Sequence, residues 1–164
     1  MEIKIIDNFL DKIDLKRVIN STNEKSWVIQ KSYVNKEDHL QFLYLDVTDE
    51  EFFNKYLFKQ IEKHLDKKYD IGRIYFNGQW PGRDGGFHTD DNGETKMSVL
   101  FYVGEYKLGW GGFTEILTSP TEQKVIAPLQ NRLVIFPGGD LMHKAYSFSH
   151  QSCPMRVSLA YKLF

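Results

Sequence analysis

Two short stretches carry the side chains best suited to chemistry. In His88-Thr89-Asp90, residues i and i+2 of an extended segment point the same way, so the imidazole and the carboxylate share a face. That spacing suits two ligands of one metal ion. His143 follows 55 residues later, after Pro137-Gly138-Gly139-Asp140 and inside a strand-like run. A third ligand from a distant strand is what a facial site needs. Taken singly, each piece has a bland reading: a polar loop running on into Asp91-Asn92-Gly93, and a hydrogen-bonded core histidine. The last strand supplies the third piece, because Val157, Leu159, Tyr161 and Leu163 alternate with Arg156, Ser158 and Ala160. An arginine pointing into a pocket from the small, polar face needs an anion, since a buried unpaired charge is costly. On an edge strand it would sit in water or pair with a protein carboxylate.

Together the pieces say more than each alone. Two neutral imidazoles and one carboxylate form the 2-His-1-carboxylate facial triad of non-haem Fe(II) oxygenases, which leaves positions open on the metal. A 2-oxo acid would fill two of these through its keto oxygen and C1 carboxylate, and dioxygen a third. If the acid is 2-oxoglutarate, its distal carboxylate needs a cation deep in the pocket. Arg156 offers a two-pronged donor and Ser158 a hydroxyl two residues on.

The elements that must position these residues follow from composition and period. At 164 residues the chain has the length of about one domain. A net charge of −1 excludes a polybasic coat, so nucleic acid is not the expected partner. The rings, 15% of residues, suit strands and pocket walls. One cysteine, Cys153, excludes a disulfide framework and a Cys-rich zinc site. No apolar run reaches membrane-span length, and Met1 to Asp7 shows no signal-peptide pattern, so the expected location is cytoplasmic.

Met1 to Ile6 reads as an edge strand, Asp11 to Asn23 as a helix, and Trp27 to Gln30 and His39 to Val47 as strands. Thr48-Asp49-Glu50-Glu51 reads as a capping box, opening a helix with Phe53, Leu57, Ile61 and Leu65 at i+4 that ends near Lys67 or Lys68. From Tyr69 onward seven strand-like runs are separated by Gly, Pro, Asn and Asp. The expected fold is mainly β with flanking α-helices, a jelly roll. It forms a single domain over residues 1–164, with 1–68 as helical and edge-strand support and 69–164 as the core.

The sequence resembles the Fe(II)/2-oxoglutarate-dependent oxygenases, and within them the prolyl 4-hydroxylase-like branch. The resemblance rests on Arg73 to Gly78, His88-Thr-Asp90, Met97 to Val103, Trp110 to Glu115, Asn131 to Pro137, His143 and Arg156-Val-Ser158, in family order. It implies a double-stranded β-helix. It also implies Fe(II) on His88, Asp90 and His143, with 2-oxoglutarate and O2 as cosubstrates and ascorbate as auxiliary reductant. Arg156 and Ser158 match the residues that bind the distal carboxylate, and Tyr75 matches a strand tyrosine that reaches it, the other reading being a core aromatic. No catalytic group beyond the metal site is implied. The substrate implied is a prolyl residue of a peptide or protein.

The sequence departs from the branch in two places. Arg156 stands where the animal and plant prolyl hydroxylases commonly have Lys, and the 13-residue step from His143 to Arg156 is long. Lys162 either echoes the second cation of the superfamily's nucleic-acid demethylases or is a solvated strand end. The loop Gly78 to Gly86 reads as mobile or turn-rich, and Trp80 and Arg83 would grip substrate if it closed as a lid. Trp110 is a further candidate for substrate contact, or packs under its loop. Alternatives are a nucleobase or small-molecule oxygenase, a cupin-type metalloenzyme (though no glutamate ligand stands near) and a non-enzymatic jelly-roll binding module. The binding module gives no reason for His88, Asp90, His143 and Arg156 to occur together.

Overall fold

The alternation along the last strand continues across the sheet to which it belongs. A computed structural model of the chain describes residues 2–31, 41–90, 94–149 and 153–164. Its larger sheet has seven strands in the order β1-β8-β5-β10-β4-β3-β2. These are β1 Lys4–Ile6, β2 Val28–Lys31, β3 Gln41–Asp46, β4 Ile71–Gln79, β5 Met97–Tyr102, β8 Arg132–Phe136 and β10 Arg156–Leu163. The smaller sheet has the order β7-β6-β9, from β6 Thr114–Ser119, β7 Glu122–Ile126 and β9 His143–Ala145. Every pairing is antiparallel.

One face of the larger sheet is dry. Ile74, Phe76, Val99, Phe101, Leu159 and Tyr161 pack there against Val18, Phe53, Leu57 and Ile61 of the helices. Each such buried side chain contributes about 1.5–3 kcal/mol relative to exposure. The other face looks toward the smaller sheet. Tyr102, Ile116, Ile126, Val134 and Phe136 fill one end of the space between the sheets. Tyr75, Asn77 and Gln79 of β4 and Arg156, Ser158 and Lys162 of β10 line a cavity in the rest.

Helix α1, Lys12–Glu24, begins as the sequence suggests: the Asp11 side chain accepts hydrogen bonds from the Ile13 and Asp14 amides. The second helix departs from expectation. Phe52–Leu57 is a π-helical turn and α2 runs only from Phe58 to Glu62. The apolar pairs Phe52/Leu57 and Phe53/Phe58 are five apart and all four are buried, which a widened turn permits. The capping box does not form, because the Thr48 hydroxyl bonds the Ile74 amide and carbonyl of β4 instead. The helix also stops short of Lys67, through turns closed by His64 to Ile61 and Leu65 to Glu62. Of the sequence readings, His39 and Asp91-Asn92-Gly93 lie outside the described residues. Among those described, no helix is long and apolar enough to cross a membrane.

Candidate metal centre

Backbone pairing, more than side-chain packing, sets the three candidate ligands in place. His88 and His143 form an isolated antiparallel bridge, each amide donating to the other's carbonyl at 3.0 and 2.9 Å. The Asp90 amide donates to the Gly138 carbonyl at 2.8 Å. His143 thereby ties β9 of the smaller sheet to the segment after β4. One ligand atom from each of His88, Asp90 and His143 lies within 4.8 Å of the others. His88 Nε2 is 3.7 Å from Asp90 Oδ1, and His143 Nε2 is 3.5 Å from Oδ2.

The histidines are held in a ligating form. The Nδ1 of His88 faces the Gly86 carbonyl at 3.0 Å, and that of His143 faces the Leu141 carbonyl at 2.8 Å. With Nδ1 as donor, Nε2 keeps its lone pair and points to the site. Burial, reinforced by His143, holds the His88 imidazole below its usual pKa. Burial pushes the Asp90 carboxyl up, but the Lys162 ammonium and His143 outweigh it and hold the carboxyl well below its usual range. Two imidazoles and an ionised carboxylate are the donor set that Fe(II) takes in a facial triad.

Gly138 makes room for this arrangement. A Cβ there would stand 2.6 Å from Asp90 Oδ2 and closer still to Ser98 Oγ.

Arg156 is 2% exposed. Its Nε donates to the Gly112 carbonyl at 2.8 Å, and its terminal nitrogens to Gln79 Oε1 and Thr114 Oγ1, both at 2.9 Å. All three acceptors are neutral, and no carboxylate among the described residues pairs with it. Burial lowers its pKa but leaves it a cation. Three of its N–H groups are used by these acceptors, and the Tyr102 ring lies 5.3 Å from the guanidinium carbon. Gly112, at φ 73°, makes this possible, because a Cβ there would press on Phe148.

The cavity has a volume of about 540 Å³ and is shared by His88, Asp90, His143, Arg156, Ser158 and Tyr75. The sequence-predicted metal and cosubstrate residues are therefore brought together. Tyr75 stacks on Tyr44 of β3 with ring centroids 4.9 Å apart. The three candidates for substrate contact separate. Arg83 lines the cavity. Trp80 is 56% exposed and lies outside the lining. Trp110 packs edge-on against Phe148, 5.3 Å between centroids. The loop expected to be mobile or turn-rich is fastened: Asp84 Oδ1 accepts from the Ser147 amide and hydroxyl, and the Gly85 amide donates to the Ala145 carbonyl, each at 2.8 Å.

Sequence reasoning missed Gln79, Gly112 and Thr114, which orient Arg156, and Tyr44, which backs Tyr75. None of the four carries a signal of its own until the register is known. Lys162 is a correction. It is not a solvated strand end but is 3% exposed and ion-paired with Asp90. The period of β10 held the signal, since residue 162 shares a face with residues 156 and 158.

Comparison with known proteins bears on this geometry. The family model described as 2OG-Fe(II) oxygenase superfamily matches residues 52–162. No curated protein matches the chain. Among solved structures, an oxidoreductase of the 2OG-Fe(II) oxygenase family from Burkholderia pseudomallei superposes with a TM-score of 0.79. Its identity is 13%, with 98% of this chain and 84% of that one covered. A prolyl hydroxylase from Trichoplax adhaerens, in complex with a hypoxia inducible factor peptide fragment, gives 0.75 at 16% identity, covering 99% and 83%. A prolyl-4-hydroxylase from Pseudomonas putida gives 0.73 at 15%, covering 98% and 91%. At these identities the likeness shows a shared jelly-roll fold.

Proposed function

The chain belongs to the 2OG-Fe(II) oxygenase superfamily, and from that premise we propose that it hydroxylates an unactivated C–H bond of a prolyl residue in a peptide or protein. The family implies Fe(II), 2-oxoglutarate and O2, and the donor set described above fits the metal. His88, Asp90 and His143 would hold Fe(II). Arg156, with Ser158 and Tyr75, would hold the distal carboxylate of 2-oxoglutarate, and ascorbate would keep the metal reduced. When bound, the metal couples oxidative decarboxylation of 2-oxoglutarate to succinate with transfer of an oxygen atom into the substrate C–H bond.

The chain's own residues do the rest. The two backbone carbonyls on Nδ1 keep the imidazoles ligating. The neutral acceptors around Arg156 orient the guanidinium without neutralising its charge. Arg83, which lines the cavity, would meet substrate.

The observation that carries the reading is the buried guanidinium with no carboxylate partner among the described residues, in one cavity with the three convergent ligands. A binding module has no use for both. The prolyl assignment draws support from the prolyl hydroxylases among the fold's neighbours, one of them bound to a peptide.

The test is aerobic conversion of 2-oxoglutarate to succinate with Fe(II), for wild type and His143→Ala, with and without a proline-rich peptide mixture. Turnover abolished in the variant supports the oxygenase, and stimulation by peptide supports the prolyl substrate. Absence of succinate from protein that binds iron and 2-oxoglutarate, under all peptide conditions, would overturn the prolyl assignment.

A further inference from the structure

Asp90 presents its two oxygens unequally. Both the Lys162 ammonium and the Ser98 hydroxyl bond Oδ2. Among the described residues no hydrogen bond reaches Oδ1, which lies 3.7 Å from His88 Nε2. Lys162 and Ser98 are direct cross-strand partners on β10 and β5, and Lys162 Nζ lies 3.4 Å from Ser98 Oγ. The ammonium is buried, and the Asp90 side chain beside it is 5% exposed.

We propose that Lys162 is a positioning residue for the metal: with Ser98 it holds Oδ2, so that Asp90 ligates through Oδ1 alone and the facial positions needed by the oxo acid stay open. This rests on the metal reading of His88, Asp90 and His143. A carboxylate free to turn can offer both oxygens and take an extra coordination position. A carboxylate with one oxygen bonded to an ammonium and a hydroxyl cannot turn without giving up both bonds. The charge has a second effect. Before metal arrives, the ammonium compensates a carboxylate that would otherwise be buried alone. Once a dication is present, the ammonium repels it and attracts the incoming oxo-acid dianion.

The two affinities therefore respond to Lys162 with opposite signs. Substituting the isosteric, neutral Lys162→Met removes the repulsion and frees Oδ2, so metal binds more tightly. The same change removes a cation and a coordination position from the oxo acid, which binds more weakly. A partner that only oriented its ligand would act the other way on the metal, its loss costing about 10–100-fold in affinity.

The experiment titrates Co(II) into the metal-free protein, read by visible absorption, and then 2-oxoglutarate into the Co(II)-loaded protein, read by calorimetry. For Lys162→Met the expected result is about tenfold tighter Co(II) and about tenfold weaker 2-oxoglutarate. Ser98→Ala, which removes only the neutral donor to Oδ2, shifts both in the same senses by a smaller factor. A loosened fold weakens both affinities together, so that result overturns the assignment, as do two unchanged affinities. If Lys162→Met does not fold, Ser98→Ala decides alone, and wild-type affinities there overturn it. Failure of wild type to bind Co(II) would be a separate result, against the metal reading itself.

Discussion

Arg156 shows how one residue type acquires a function from its surroundings. A guanidinium 2% exposed is costly unless an anion meets it. Here, among the described residues, its hydrogen bonds go to a carbonyl, an amide oxygen and a hydroxyl, with the Tyr102 ring beside it. Charge-assisted hydrogen bonds contribute about 1.5–3 kcal/mol each, or about 10–100-fold in affinity. Arg156→Met, which keeps an unbranched apolar stem and removes the guanidinium, should therefore weaken 2-oxoglutarate by about 100-fold while leaving Mn(II) affinity within a few-fold, both read by calorimetry. Loss of both together would mean that the variant had disturbed the fold rather than the anion site.

His88 contributes to the pH response of the metal. Its folded pKa is depressed below 6.5, first by burial and then by His143. The neutral, ligating form is thus already present at neutral pH. Protonation of His88 should therefore cost metal affinity only as pH falls below about 6.5. The sign for stability agrees. In the interval between the depressed folded value and the unfolded one, the unfolded chain binds more protons, so the metal-free protein loses stability as pH falls through it. Titration of Mn(II) across pH 5.5 to 8 checks the first statement, and a drop in affinity beginning above about pH 7 would contradict it.

Between residue and fold lie the short segments that bring distant parts together. Asn131, at φ 66°, uses its side chain as a strand would use its backbone, accepting from the Leu10 amide and donating to the Leu10 carbonyl, both at 2.8 Å. This fastens the turn before α1 to the start of β8. Asn131→Ala removes two buried hydrogen bonds and the residue type that best tolerates that conformation. A loss of about 2 kcal/mol is expected, seen as a fall in Tm of about 4–8 °C. Gly138→Ala should act on the site instead, displacing Asp90 and Ser98 and weakening metal by more than it lowers Tm.

These segments also mark where sequence reading stops. The strands of the core were legible because β10 keeps a period of two and β5 is a short apolar run, and the period of β10 placed Arg156 and Ser158 on one face. His88 and Asp90 were legible because their spacing is local. The capping box was not, because Thr48 meets a competing pair of backbone groups on β4, a partner 26 residues away. The π-helical turn escaped because i+4 spacing and five-residue spacing coexist in Phe52 to Ile61. Asn131, Gln79 and Thr114 act through pairings set by register between strands, which no single stretch of sequence contains.

At the scale of the molecule, the two sheets meet the ligands unequally. One face of the larger sheet is sealed by helices, so its strands are fixed from behind. The smaller sheet carries His143 on β9, and the His88–His143 bridge joins that strand to the segment following β4. Arg156 lies on the larger sheet and bonds Gly112 and Thr114 on the way into β6. On the proposed reading, a bound metal would clip the β9 edge to the segment following β4, and a bound dianion would draw the two sheets together at Arg156.

Ligands that bind only the folded chain stabilise it by mass action, by about 2.7 kcal/mol at a concentration 100 times Kd. For a chain of this length that raises Tm by about 5–10 °C. Anaerobic Mn(II) should thus raise Tm, a chelator should reverse it, and 2-oxoglutarate should add a second increment only when metal is present. Arg156→Met should keep the first increment and lose the second, and His143→Ala should lose both. A 2-oxoglutarate increment that survived Arg156→Met would place the dianion elsewhere. One that survived metal removal would mean that the anion site works without the metal, and the two halves of the cavity would then be independent sites.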